Sequence, residues 1–319
     1  MEMSRRGFGA HVTGAAVGAA LAACGAEGAD APVAGTPAKR AVVLVHGSWF
    51  GAWCYARLIP LLEAKGITVA APDLPGHGLD ARFPASFAPR PLDTSAFGAE
   101  GSPLAGVSLQ DYVKAILAQV ASLAAAGFGP ITVLGHSMAG IPITVAAEQA
   151  PAQIAKLIYL SAFMPVTAVP AGAYLQRSEA AASLVGQWLK ADPNTIGALR
   201  LDTNTIDPTE SQGLKAAFCA DVSDTEFAAI THLMQPDDPA QAYGTPTGAT
   251  AKNWGSVKRT YIGCTADNTV PATLQKLFVS EADMLAPSNK TDFHTFDSSH
   301  TPFFAKASAL ADLLVTLIA

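Results

Sequence analysis

The chain has 319 residues, is 50% hydrophobic and 14% charged, and carries a formal charge of −6 at pH 7. This composition excludes a disordered chain, supplies ample apolar surface for a core, and by length admits one large domain or two small ones. The acidic balance, with no stripe of Lys and Arg, excludes an electrostatic footprint for nucleic acid, and Cys24, Cys54, Cys219 and Cys264 form neither a CxxC nor a Cys/His zinc spacing, so no metal is expected.

The chain opens with Ser4-Arg5-Arg6-Gly7-Phe8, followed by an Ala- and Gly-rich apolar run that ends in Leu21-Ala22-Ala23-Cys24. A basic start, a short apolar stretch and small residues at a processing point mark an export signal. The paired arginines resemble a twin-arginine signal, and Leu21 to Cys24 resembles a bacterial lipobox. That resemblance implies removal of residues 1–23, lipidation of Cys24, and a bacterial lipoprotein held in the periplasm, at the outer membrane or at the cell surface. The membrane would be reached only through this anchor. Residues 24–39 are small, polar and turn-rich and read as a flexible tether.

From residue 40 onward, short apolar runs alternate with helical spacing. Residues 41–45 read as a strand buried on both faces, 52–64 as a helix, and 67–71 as the next strand. A polar, Pro-rich excursion over 83–107 carries no clear period. Ser108 caps a helix to about residue 126. Residues 131–134 read as a strand, 138–149 as a helix and 157–160 as a strand. Residues 165–253 break the rhythm with helical stretches at 174–190, 208–220 and 223–233 and no buried strand. The alternation resumes with a strand at 259–264, a helix at 272–281, a strand at 291–296 and a helix at 302–318. The pattern predicts an α/β fold: a doubly wound, mostly parallel sheet over 40–319, with a helical cap inserted at about 165–253.

Gly135-His136-Ser137-Met138-Ala139-Gly140 falls between a strand and the following helix. A serine on such a sharp turn is a candidate nucleophile, with small flanking residues relieving the strand–helix contact and helix N–H groups aimed at a bound anion. Ala139 stands where the usual G-x-S-x-G pattern has its last glycine. His46-Gly47-Ser48 ends the first strand, so the backbone N–H groups of Ser48 and Met138 are the candidate oxyanion hole. The Ser48 hydroxyl is not itself the donor in this role and reads as an added polar contact or a cap for the following loop, and His46 reads as structural.

A serine nucleophile needs a histidine base held by a carboxylate. Asp267 follows one late strand and His300 the last one, both just beyond strand C-terminal ends where ligands bind in open α/β sheets. His294 lies within a strand pattern and His232 within a cap helix, while Asp283 and Asp297 are not placed at the acid position.

With these segments in hand, residues 40–319 resemble the α/β-hydrolase superfamily. The likeness is greatest to its methyl esterase and hydroxynitrile lyase branch and the bacterial esterase relatives of that branch. The resemblance rests on Val43-Leu44-Val45-His46-Gly47-Ser48-Trp49-Phe50-Gly51-Ala52-Trp53-Cys54, on Leu61-Leu62-Glu63-Ala64-Lys65-Gly66, on Tyr261-Ile262-Gly263-Cys264-Thr265-Ala266-Asp267 and on Ser299-His300-Thr301-Pro302. The excursion at 83–107 and the N-terminal signal depart from that branch. Its lyases are similar to one another in having Thr after the first-loop His and Lys after the catalytic His; Gly47 and Thr301 stand here, which argues for hydrolysis over C–C cleavage.

The expectation is a serine esterase, without cofactor, acting on small or aromatic apolar esters through an acyl-enzyme. Ser137, Asp267 and His300 form the expected triad, and Trp49, Phe50, Met164, Trp188 and Met234 the expected pocket lining. The other readings are a lipid-anchored binding protein with little turnover, and lyase-like chemistry.

Overall fold

A computed structural model describes residues 39–319. The expected export signal (1–23), Cys24 and all of the tether except Lys39 lie outside the described residues.

Six strands form one sheet: β1 (Ala41–Val45), β2 (Thr68–Ala70), β3 (Ile131–His136), β4 (Lys156–Leu160), β7 (Lys258–Cys264) and β8 (Asp292–Phe296). Their order is β2-β1-β3-β4-β7-β8, and every pairing is parallel. β1 and β3 are buried along their whole length, as continuous apolar runs in a sheet covered on both faces require. This is the doubly wound parallel sheet expected from the alternation, and the arrangement that the α/β-hydrolase resemblance implies. The chain runs outward from β1 to β2, then reverses across β1 to reach β3. That reversal opens a crevice beyond the C-terminal ends of β1 and β3, and His46-Gly47-Ser48 and His136-Ser137 both emerge there.

The helix Leu109–Ala125 begins with the expected Ser108 cap, completed as a capping box by Asp111. It packs with Gly140–Gln149 and against β1 and β3. Two expected helices are broken. The 52–64 helix is a 3-10 turn, Ala52–Tyr55, followed by Leu58–Glu63, and the last helix divides into Pro302–Ala305 and Ala307–Leu317. The 83–107 excursion is ordered by a short helix, Thr94–Ala99, whose first turn is capped by the Asp93 side chain.

The segment between β4 and β7 corrects the all-helical expectation. β5 (Ala198–Arg200) and β6 (Asp237–Pro239) pair antiparallel, and both are buried. Asp237 and Asp238 hid the second strand from a hydropathy reading. The burial is made tolerable by Arg200, whose Nε and Nη2 reach the two Asp237 carboxylate oxygens at 2.6 and 2.7 Å. The expected 174–190 helix is instead Ala171–Tyr174 and the 3-10 turns Ser178–Ala180 and Gly186–Trp188, whereas Pro208–Phe218 and Asp224–Leu233 are helical as expected. Cys54, Cys219 and Cys264 are buried free thiols. Among the described residues no helix is long and apolar enough to cross a membrane.

Candidate active site

β3 ends by turning sharply at Ser137, whose φ is +55°. A non-glycine residue in this region costs about 1–3 kcal/mol, which the surroundings must sustain. They do so from both sides: the Ser137 carbonyl accepts from the Phe163 N–H at 2.9 Å, and the helix Gly140–Gln149 starts one turn later. The close contact falls at Gly140. A Cβ there would lie 1.8 Å from the Phe163 carbonyl oxygen. Alanine is therefore accommodated at position 139, and the need for glycine is displaced by one residue from the usual motif.

Asp267 and His300 meet beyond β7 and β8. His300 Nδ1 is 2.8 Å from Asp267 Oδ2, which also accepts from the Ser161 hydroxyl at 2.6 Å. Asp267 Oδ1 accepts from the N–H groups of Thr269 and Val270 at 2.7 and 2.8 Å. Four donors thus fix the carboxylate, and with Nδ1 committed to Asp267, Nε2 is the ring nitrogen left for other partners. Ser137, Asp267 and His300 are all buried. Sequence reasoning missed Ser161, which sits directly after β4 with φ +45°; its place at a strand end beside β7 was the available signal.

It also missed Asp221. This carboxylate accepts from the Ser298 hydroxyl and the Ser299 N–H at 2.8 and 2.9 Å, and so holds the turn that precedes His300. Partial burial pushes the Asp221 carboxyl upward, but the bonds from Ser299 and Ser298 outweigh it and hold the group below its ordinary value. The competing residues lie elsewhere. His294 is paired with Asp292 on β8, His232 lines an outer cavity with Trp53 and Leu79, Asp297 pairs with Lys306, and Asp283 accepts from the Thr291 N–H.

The loop after β1 closes on Ser137. A Cβ on Gly47 would lie 2.8 Å from Ser137 Cβ and 2.9 Å from His136 Nδ1, so only glycine lets the two strand ends approach this closely. His46 is fully buried and neutral: burial, reinforced by the nearby His77 and opposed by its Gly47 bond, lowers its pKa to about 3. Its Nδ1–H donates to the Gly47 carbonyl at 2.9 Å, and Nε2 accepts from the Leu74 N–H at 3.0 Å. His136 is held well below the ordinary imidazole value, chiefly by burial and then by the His300 ring beside it. Its Nε2–H donates to the His300 carbonyl at 2.9 Å, linking the Ser137 turn to the His300 loop. Ser48 and Met138, the expected oxyanion donors, are both buried at this junction.

Ser137 opens into a small chamber of about 30 Å³ walled by Trp49, Phe163, Leu175, Val185, Leu199 and Tyr243. Of the five residues expected to line the pocket, Trp49 does. The other four are not among the walls of this chamber. Phe50 joins an aromatic cluster with Phe218, Phe303 and Phe304 around His136. Trp188 lies over Gly213, and Met164 and Met234 are buried in the apolar core. Outside the chamber, across Leu175, Leu199 and Tyr243, lies a wider cleft of about 460 Å³ between Pro170 and Gly244. Among the described residues, no three His, Cys, Asp or Glu side chains converge as metal ligands would.

Comparison with known proteins places this geometry in context. Residues 42–313 match a family described as the alpha/beta hydrolase family. Methylesterase 9 of Arabidopsis thaliana is 25% identical over 289 residues, covering 86% of this chain and 96% of that protein. Polyneuridine aldehyde esterase of Rauvolfia serpentina is 30% identical over 247 residues, covering 74% of this chain and 81% of that protein. Among solved structures, the pyrethroid hydrolase PytH superposes with a TM-score of 0.67 at 20% identity, over 87% of this chain and 96% of its own. Tomato methylketone synthase I superposes at 0.59 with 21% identity, over 88% and 96%. At such identities these structural likenesses show the fold alone, and that fold carries more than one chemistry.

Proposed function

The chain belongs to the alpha/beta hydrolase family, and from this premise we propose that it is a serine hydrolase of carboxylic esters with a short acyl group. The observation that carries the reading is the 2.8 Å contact of His300 Nδ1 with an Asp267 carboxylate already fixed by three other donors. A histidine so oriented keeps one tautomer, with Nε2 free to take the Ser137 proton. Ser137 Oγ then attacks the ester carbonyl while His300 becomes an imidazolium stabilised by Asp267. The Ser48 and Met138 N–H groups receive the oxyanion, and His300 returns the proton to the departing alkoxide. Water, deprotonated in turn by His300, releases the acid and restores Ser137.

Names of relatives such as methylesterase and esterase support ester cleavage. The chamber supports the acyl size: about 30 Å³ beside Ser137, against about 460 Å³ in the cleft beyond it, favours a short acyl group. Thr301 supports hydrolysis over C–C cleavage. Its hydroxyl donates to the Phe218 carbonyl at 2.9 Å, so no cation stands there to receive a departing cyanide.

The test is hydrolysis of p-nitrophenyl acetate, butyrate and octanoate by the full chain beside Ser137→Ala, with fluorophosphonate labelling of both. Turnover and labelling that require Ser137 are expected. Equal rates in the two proteins would overturn the proposal. For the anchor, we propose that Cys24 is lipidated in a bacterial host; metabolic labelling with a palmitate analogue, lost in Cys24→Ala, is the measurement, and unlabelled wild-type protein would refute it.

A further inference from the structure

The loop that carries the expected oxyanion donor is held by the inserted segment between β4 and β7, through a buried chain of polar groups that the triad does not use. Ser48 Oγ donates to Asp238 Oδ2 at 2.8 Å, and its hydroxyl lies 2.8 Å from the Tyr243 hydroxyl. The other Asp238 oxygen lies 2.9 Å from His77 Nε2, and His77 Nδ1 is 3.4 Å from the Tyr112 hydroxyl. Asp238 and His77 are fully buried and Ser48 nearly so.

The proton directions follow from the donor inventory. A carboxylate only accepts, so Asp238 takes the Ser48 proton and the His77 Nε2 proton, and Ser48 Oγ is left to accept from Tyr243. Burial above all, then the Asp238 charge, raises the Tyr243 hydroxyl well above its ordinary value despite the Ser48 bond, so it remains a donor. The Ser48 hydroxyl proton therefore points into β6. Of the two donors of Ser48, the backbone N–H alone is left for an oxyanion.

The next residue is secured in the same way. Trp49 sits at φ +63°, a conformation that persists only when neighbours over-determine it. Its indole N–H donates to the Leu199 carbonyl of β5 at 3.0 Å, and its own carbonyl accepts from the Gln235 N–H at 3.1 Å. Both strands of the small sheet thus grip consecutive residues of the β1 loop, and the Arg200–Asp237 pair locks those strands to each other.

We propose that Asp238 is a positioning residue for ester hydrolysis: by holding the Ser48 hydroxyl from β6 it fixes the Ser48 N–H at the oxyanion site. The proposal rests on the serine-hydrolase reading. It gives the buried Asp238–His77 pair a role beyond filling the core, and makes the inserted sheet part of the catalytic geometry as well as a cover. A ground-state ester carbonyl barely uses these donors, whereas the tetrahedral oxyanion requires them. Displacing the loop must then lower kcat and spare KM.

The experiment compares the full chain with Asp238→Asn, Ser48→Ala and the double variant on p-nitrophenyl acetate, recording kcat, KM and melting temperature, with Ser137→Ala as the blank. Each single variant is expected to lose about 10- to 100-fold in kcat, the range for a displaced or weakened oxyanion donor, with KM within about twofold. The double variant is expected to match the more impaired single one, because both break one connection. Ser48→Ala keeps Asp238 paired with His77, so it tests the idea even if Asp238→Asn folds poorly. Wild-type kcat in Ser48→Ala, losses confined to KM, or multiplied losses in the double variant would overturn the proposal. Wild-type turnover equal to the Ser137→Ala blank would instead refute the hydrolase reading on which it rests.

Discussion

Gly47→Ala tests how closely the two strand ends must approach for Ser137 to work as the proposed nucleophile. The added methyl would lie 2.8 Å from Ser137 Cβ, 2.9 Å from His136 Nδ1 and 3.2 Å from the His136 carbonyl oxygen. Ordinary contact begins at 3.4 Å, so β1 and β3 must separate by about 0.6 Å at Gly47, the residue before the proposed oxyanion donor. A 1 Å misplacement costs on the order of 100-fold in rate; on a logarithmic scale the smaller shift predicts a loss of about 10- to 20-fold in kcat. Overpacking of a tight core site adds about 1–3 kcal/mol of destabilisation, or a fall in Tm of roughly 2–4 °C for each kcal/mol at this chain size. Steady-state hydrolysis of p-nitrophenyl acetate and thermal melting measure the two effects. Gly101→Ala, whose methyl would meet nothing within 4 Å, is the matched control and should keep wild-type behaviour. Full kcat in Gly47→Ala with an unchanged Tm would refute the close approach and the geometry built on it.

Three further outcomes follow from the same structure. Leu175 separates the 30 Å³ chamber from the 460 Å³ cleft, so Leu175→Ala should raise kcat/KM for octanoate relative to acetate by about tenfold or more, the scale of a few methylenes gaining room; an unchanged chain-length ratio would place the acyl group elsewhere. His46 has a folded-state pKa of about 3 and His136 is likewise depressed, so both stay neutral while the unfolded chain takes up protons below about pH 6.5. Stability is therefore full above that pH and falls on acidification, by about 1.4 kcal/mol per pH unit for His46 alone; urea unfolding at pH 7.5, 6.5 and 5.5 checks it, and a flat profile would show that these rings ionise in place. Asp221 has the opposite arrangement, a carboxyl held low, so its contribution is present above about pH 4 and lost as pH falls through the folded-state value. Asp221→Asn should melt lower than wild type at pH 6, with the gap closing below pH 4, and a gap independent of pH would exclude the carboxylate's charge as the cause.

The parts of the fold legible in the sequence were those where one physical signal acts alone. β1, β3 and β4 are short apolar runs because the sheet is covered on both faces, and the Ser108 cap announces its helix by local hydrogen bonding. β5 and β6 were hidden because their burial depends on pairing across the chain: Asp237 reads as solvent-facing until Arg200, from a strand beginning 39 residues earlier, neutralises it. The 174–190 stretch failed for the converse reason. Its apolar residues occur at spacings a helix could use, but they face a chamber and a core in separate short turns.

The same distinction separates the site residues that could be read from those that could not. Ser137, Asp267 and His300 were singled out because each follows a strand, and strand ends converge in a sheet of this order. Asp238, His77 and Tyr243 carry no such local mark; Ser48 meets Asp238 across 190 residues and Tyr243 across 195. Position 139 shows why a motif must be interpreted through its cause. The pattern asks for glycine two residues after the nucleophile, and the chain offers alanine there with glycine one place later. The space that must stay empty lies under the Phe163 carbonyl, where a methyl on residue 140 would sit at 1.8 Å. No rotamer change relieves a clash with backbone, so Gly140→Ala should unfold the nucleophile turn or displace the loop after β4, whereas Ala139→Gly should leave the turn in place. Thermal melting and fluorophosphonate labelling of Ser137 distinguish these outcomes, and a fully labelled Gly140→Ala protein with wild-type Tm would show that the turn tolerates a side chain where the structure leaves no room for one.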